Sequence, residues 1–305
     1  MKTKLNQFIP NTKTILREKY LEKHPFAHKL TTSLYLKYCR VNGPLHVLPD
    51  YYIIGVVKGG TTSLHDYLIK HPCIQPPIGK EIDYFGQLYY RGQYWYRSSF
   101  PYKIQKFFAQ KIQKKDFLTG EATPRYIEHP NVPERIKQLT PNAKFIVLLR
   151  NPIDRAYSHH NMNMTRKHET LSFEEAINNE QSRIQGEYEK MKKDYQYFNW
   201  TYYLFAYKEH GKYIERLQRW MKIFPRKQFK IIKSEDLFEK PSTVYAEILE
   251  FLNLPKWDLN EYPALKKRKY QKLNMNPETR KKLSEYFKPY NEKLSKFLDI
   301  NFGWD

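Results

Sequence analysis

The stretch from Tyr51 to Leu68, YYIIGVVKGGTTSLHDYL, constrains this chain more than any other. An apolar run from Tyr51 to Val57 breaks into Lys58-Gly59-Gly60-Thr61-Thr62-Ser63, and a helical pattern resumes through Leu64, Tyr67 and Leu68. That order predicts a strand, a tight glycine turn and a helix start. Neither Gly59 nor Gly60 carries a Cβ, so the backbone there can approach a ligand closely. The orphan amides of the helix's first turn and the helix dipole both favour an anion in the turn. Lys58 adds a positive charge, and Thr61, Thr62 and Ser63 add hydroxyl donors. The residues read as a phosphate cradle. The nucleotide P-loop, G-x-x-x-x-G-K-[ST], is the obvious comparison, and the spacing from Gly55 does reach Gly60. However, Thr61 stands where that motif needs its lysine, which has moved ahead of the glycines to Lys58. An ordinary ATPase or GTPase is disfavoured, whereas anion binding by a strand, loop and helix is not.

A chain of 305 residues makes one large domain or two small ones. Its 40% apolar and 16% aromatic content argues for a folded globule over a disordered chain. The formal charge of +21 implies attraction to polyanions. Nucleic acid, an anionic membrane, an acidic polysaccharide and a highly phosphorylated nucleotide all qualify. Two cysteines, Cys39 and Cys73, make neither a disulfide framework nor a CxxC metal site, which suggests a reducing compartment. No apolar run approaches the ~20 residues needed to span a bilayer, and the first residues lack the apolar core of a signal peptide. The expectation is a cytoplasmic protein.

Residues 1–49 form a basic arm, with helical tendency around Thr14–Lys23 and Leu30–Tyr38, closed by Pro49. Residues 50–305 form the main domain. After the cradle helix, Lys80-Glu81-Ile82-Asp83-Tyr84-Phe85 places two carboxylates in a basic, aromatic neighbourhood. If this segment is extended, Glu81 and Asp83 point to opposite sides. The aromatic run from Tyr89 to Tyr102 is expected mainly to pack in the core. Phe117–Gly120 reads as a strand leading to Glu121-Ala122-Thr123-Pro124-Arg125-Tyr126. Lys144–Leu149 is a continuous apolar run, as in a strand buried on both faces of a parallel sheet. It delivers Arg150 to the strand's C-terminal end, where open α/β sheets bind ligands. Asn151-Pro152 then starts a helix that carries Ser158 two turns on, and a structural pair between Arg150 and Asp154 is the alternative. The adjacent His159 and His160 are expected to be exposed or capping. Ser172 with Glu175 forms a capping box, and Phe229–Ile232 is a further strand. A basic loop, Leu265–Tyr270, precedes two closing helices separated by Pro289. Strands alternating with helices predict an α/β, P-loop-like three-layer fold with a central parallel sheet flanked by helices. No His/Cys/Asp spacing proposes a metal.

These residues resemble the sulfotransferases that use PAPS, 3′-phosphoadenosine 5′-phosphosulfate. Gly55–Leu64 (GVVKGGTTSL) resembles their 5′-phosphosulfate loop, and Leu149–Ser158 (LRNPIDRAYS) resembles their 3′-phosphate motif. The resemblance runs from about Asp50 to the end and is strongest to the heparan-sulfate-type carbohydrate enzymes and their bacterial relatives. It implies that Lys58 stabilises the leaving phosphate, while Gly59, Gly60, Thr61, Thr62 and Ser63 hold the 5′-phosphate. Arg150 and Ser158 would clamp the 3′-phosphate. Arg268 and Tyr270, in the late basic loop, would close on the nucleotide. Glu81 would be the base that deprotonates the acceptor, with an ion pair to Lys80 or Arg91 as its structural alternative. Three departures stand out: Lys267 replaces a loop glycine, Ala122 stands where several heparan enzymes have a substrate-side lysine, and the late cysteine pair of the secreted enzymes is absent, which fits a reducing compartment. The implied reaction moves a sulfuryl group in line from PAPS to a hydroxyl or amine of a carbohydrate, acidic ones included, with no metal. Sulfation of a small alcohol, lipid or phenol is the enzymatic alternative. The non-enzymatic alternative is a polyanion- or nucleic-acid-binding protein, although the two ordered motifs make nucleic acid an unexpected partner.

Overall fold

The computed structural model describes residues 25–263 and 275–304. Its centre is a four-stranded parallel sheet of β1 (Tyr51–Gly55), β2 (Gly120–Ala122), β3 (Lys144–Leu149) and β4 (Phe229–Lys233), in the order β2-β1-β3-β4. Tyr51 pairs with both Gly120 and Lys144, and Phe145 pairs with Phe229. Parallel neighbours need helical crossovers, and the helical patterning between these strands supplies them. The fold is the expected α/β one.

Alternation along the strands makes it three-layered. Tyr52, Ile54, Phe145, Val147 and Leu149 feed one core, which closes over Leu217, Trp220 and Phe224. Tyr51, Ile53, Ile146 and Leu148 feed the other, against Leu64, Leu68, Ile248 and Leu249. β1 and β3 therefore bury both faces, which is why each reads as an unbroken apolar run. The helices of these layers are α1 (Pro25–Asn42), α2 (Thr61–Leu68), α3 (Lys103–Phe107, wound on to Ile112), α4 (Pro152–Thr165), α5 (Tyr213–Met221), α6 (Ser234–Glu239), α7 (Pro241–Leu252) and α8 (Pro277–Leu298).

Two expectations about the elements are corrected. The closing segment is one helix, α8, with Pro289 inside it. Its buried face of Leu283, Phe287, Leu294 and Leu298 outweighs the backbone bond that proline cannot make. The second strand begins at Gly120, later than Phe117, since Leu118 makes only an isolated bridge with Ile74. The aromatic run divides: Tyr96 and Phe100 are buried, while Tyr90, Tyr94 and Tyr102 are exposed. Arg268, Tyr270 and Lys267 lie outside the described residues, as does the helical tendency at 14–23.

The Phe145 ring sits 4.6 Å from that of Phe224, 5.0 Å from Phe229 and 5.3 Å from Trp220. Phe145→Ala should cost about 3–5 kcal/mol of stability, read from the urea midpoint. A loss below about 1 kcal/mol would mean that this layer repacks freely and is not the fold's keystone.

Candidate active site

All four strands end on one edge of the sheet, and the candidate residues gather there. β1 leads into the turn Val56–Gly60 and then α2. Gly60 has φ 94° and precedes the helix as its N-cap, and Lys58 also adopts a left-handed conformation, φ 73°. A Cβ on Gly59 would lie 2.8 Å from the Leu148 carbonyl oxygen, so a glycine is required for the turn to reach β3. The Leu64 N–H donates to the Gly60 carbonyl, the first bond of α2. The N–H groups of Thr61, Thr62 and Ser63 stand ahead of it at the helix's positive end. The strand, glycine turn and helix start expected from the sequence are all present, in that order.

The turn is fastened from two sides. Arg150, just past the end of β3, donates from Nη1 to the Lys58 carbonyl oxygen at 3.3 Å. Ser234, at the end of β4, donates from its buried Oγ to the Gly59 carbonyl at 2.8 Å. Two motifs 92 residues apart thus meet at one turn. Asp154, the alternative partner of Arg150, instead pairs with Arg280. Asn151 caps α4, accepting from the N–H groups of Ile153 and Asp154 through its side chain. Its own N–H donates to Glu235 Oε1 at 3.0 Å. Ser158 follows on α4, half-buried.

The carboxylates come next. Lys80 Nζ donates to Thr62 Oγ1 at 2.6 Å and lies 3.6 Å from Glu81 Oε1. Arg125 reaches Glu81 at 3.8 Å and Asp83 at 2.9 Å. A chain of contacts, Thr62–Lys80–Glu81–Arg125–Asp83, therefore runs from the cradle into the cleft wall. The segment is not extended: Glu81 (φ 60°) and Asp83 (φ 55°) are both left-handed, and both carboxylates converge on Arg125. Arg91, one alternative partner of Glu81, packs over the Trp95 ring instead, and Lys80 is the other. Burial raises the Asp83 carboxyl above its usual value, against the pull of Arg125.

Sequence reasoning missed Arg125, Lys80 and Ser234 as site residues. Arg125 carried a signal: like Arg150, it is a lone arginine just beyond a strand. His159 and His160 are buried, not exposed. His160 bonds the Leu171 carbonyl at 2.9 Å. The His159 ring is held neutral by burial and by the nearby positive charges of Arg155 and Lys58. His71 joins the Cys73 N–H to the Pro255 carbonyl, a structural role. Ala122 is wholly buried in the second core layer.

Beneath Arg125 lies Glu121, buried on β2. It accepts from Thr123 Oγ1 and Tyr126 OH, each at 2.7 Å, and from Tyr96 OH. Burial pushes its carboxyl up from 4.5 to about 7, against the stabilising effect of these hydroxyl donors. The folded state therefore favours the protonated form. This contribution to stability is full below about pH 4.5 and is lost as pH rises through about 7. Glu121→Gln, which cannot ionise, should show a smaller fall in urea midpoint across that window than the parent protein. Parallel profiles would contradict the assignment.

Comparison with known proteins agrees with this geometry. The family model described as "Sulfotransferase domain" matches residues 48–299. The membrane-associated sulfotransferase kil1 of Dictyostelium discoideum is 30% identical, covering 87% of this chain and 68% of that protein. Mouse heparan sulfate glucosamine 3-O-sulfotransferase 3B1 is 27% identical, covering 85% of this chain and 65% of its own length. The chain thus spans about two thirds of the length of these curated relatives. A sulfotransferase crystal structure from Alicyclobacillus acidocaldarius superposes with TM-score 0.62 at 26% identity, covering 85% of this chain and 99% of that one.

The kil1 relative overturns the cytoplasmic placement expected from the sequence, because that protein is membrane-associated by name. The low cysteine count reports disulfide use, not compartment. Among the described residues, no helix is long and apolar enough to cross a membrane.

Proposed function

The chain belongs to the sulfotransferase domain family and is a transferase, and we propose that it moves the sulfuryl group of PAPS to a hydroxyl or amine of a carbohydrate. The observation that carries this reading is the meeting of Arg150 with the Lys58 turn. A donor with phosphate at both its 5′ and 3′ positions needs two anion sites fixed relative to each other. The turn and the start of α2 suit the first. Arg150, with Ser158 on α4, suits the second, since a guanidinium presents paired donors to a phosphate.

The proposed transfer is a single displacement at sulfur. The bond from sulfur to the bridging oxygen of the 5′-phosphate breaks as the bond from sulfur to the acceptor oxygen forms. 3′,5′-ADP leaves, carrying the electron pair. Lys58 and the amides of Thr61, Thr62 and Ser63 offset the charge developing on that oxygen. Glu81 takes the acceptor's proton. Lys80 holds it within reach of the cradle by bridging to Thr62, and Arg125 orients its other side. Arg268 and Tyr270 would complete the nucleotide pocket from the late basic loop.

The carbohydrate acceptor is supported by relatives named for heparan sulfate glucosamine and by the net charge of +21, which favours an acidic polymer. Glu81→Gln should lower kcat for transfer from PAPS to a desulfated heparan chain by about 10²–10⁴-fold. Its affinity for 3′,5′-ADP should stay unchanged. A variant with undiminished kcat would remove Glu81 from the base role. Turnover of phenols or small alcohols with none on the glycan would overturn the acceptor class.

A further inference from the structure

More than half of the exposed large apolar side chains among the described residues belong to α1, α3 and the loops beside them. On α1 and its 3-10 extension, Leu34, Tyr38, Val41 and Leu45 recur at intervals of four, three and four, the repeat of one helix face. They are 56%, 57%, 79% and 56% exposed. On α3 and its extension, Ile104, Phe107, Phe108 and Ile112 form a second such stripe, each more than half exposed.

The second stripe inverts the usual amphipathic order. A surface helix ordinarily turns its apolar residues to the core. Here the inward side is carried by Lys106, which pairs with Asp50 at 3.1 Å and lies over the Phe117 ring, and by Ala109, packed on the core. The Ile and Phe residues are the exposed ones. Tyr35 and Tyr38 of α1, Gln105 of α3 and Tyr102 just ahead of α3 line a shared cleft of about 500 Å³, so the two helices border one surface.

The charge on this surface is mostly positive, with exposed Asp116 next to Lys115. Neither Pro25–Asn42 nor residues 101–115 contain an aspartate or glutamate. Lys37, Arg40, Lys103, Lys111, Lys114 and Lys115 are all exposed there.

We infer that this face docks on the surface of an anionic lipid bilayer. The Ile and Phe side chains enter the boundary of the acyl chains, and the lysines lie at the level of the lipid phosphates. A sulfated glycan would satisfy the lysines but would leave two apolar stripes in water. A second copy of this chain, placed symmetrically, would set like charges against each other. The bilayer satisfies both features. Asp50, which anchors α3, immediately precedes β1, so the docking face lies toward the N-terminal edge of the sheet. The cradle lies at the C-terminal edge, and the docked protein keeps that edge off the lipid.

The test is cosedimentation of the full chain with vesicles of phosphatidylcholine alone and of phosphatidylcholine mixed with phosphatidylserine. Binding is expected to the mixed vesicles only, and to weaken as salt rises. The combined variant Ile104→Ser, Phe107→Ser, Phe108→Ser should lower partitioning about ten-fold or more, with far-UV circular dichroism unchanged because these side chains support no core. Reversing Lys111, Lys114 and Lys115 to Glu should also weaken it. No binding to mixed vesicles overturns the inference. So does a serine variant that binds like the parent protein, since diffuse charge alone would then explain retention. A concentration-dependent dimer in light scattering that the serine variant abolishes would assign the face to a second copy instead.

Discussion

The structure of the site depends on how one backbone turn is held against its neighbours. The Val56 N–H donates to the Leu148 carbonyl at 2.9 Å, which draws the turn against β3. Gly59 fits there only because it lacks a Cβ. Arg150 and Ser234 then fix the carbonyls of Lys58 and Gly59 from the ends of β3 and β4. A glycine-containing turn left to itself would sample many conformations and lose the entropy of ordering on binding a phosphate. Fastened in this way, it presents the first amides of α2 in a fixed arrangement before any ligand arrives. The register of the parallel sheet is what brings the three strand ends into reach, so the chemistry rests directly on the two core layers beneath.

The carboxylates beside the turn are held by the same logic, with side chains in place of backbone. Lys80 ties Thr62 to Glu81, and Arg125 ties Glu81 to Asp83. Arg125 follows the short strand that holds Glu121 with its three hydroxyl donors, so a buried polar network underlies the cleft wall. Such a network, once its groups are satisfied, specifies one arrangement of the wall. At this edge the glycine turn and the start of α2 stand beside Glu81, which is linked to Thr62 through Lys80.

Much of this was legible in the sequence. The strands at Tyr51 and Lys144 announced themselves because burial on both faces demands unbroken apolar runs. Gly59, Gly60 and Arg150 were legible because a turn and a strand end impose local requirements. What local pattern could not show was set by distant contacts. Glu81 and Asp83 were expected on opposite sides, yet left-handed backbone at both turns them to one arginine. His159 and His160 were expected at the surface, whereas the packing of α4 buries them. Pro289 was expected to separate two helices, but a continuous buried face carries α8 through it. Compartment was misjudged for a different reason: two cysteines and short apolar runs say nothing about attachment to a membrane surface.

The central claim is that Arg150 and the Lys58 turn together make a site for a nucleotide phosphorylated at both ends. Titration calorimetry with 3′,5′-ADP and with 5′-AMP, which differ only in the 3′-phosphate, tests it most directly. A charge-assisted clamp should make 3′,5′-ADP bind about ten-fold or more tightly, and Arg150→Ala should bring the two affinities together. Equal affinities in the parent protein, or a preference that survives Arg150→Ala, would contradict the account.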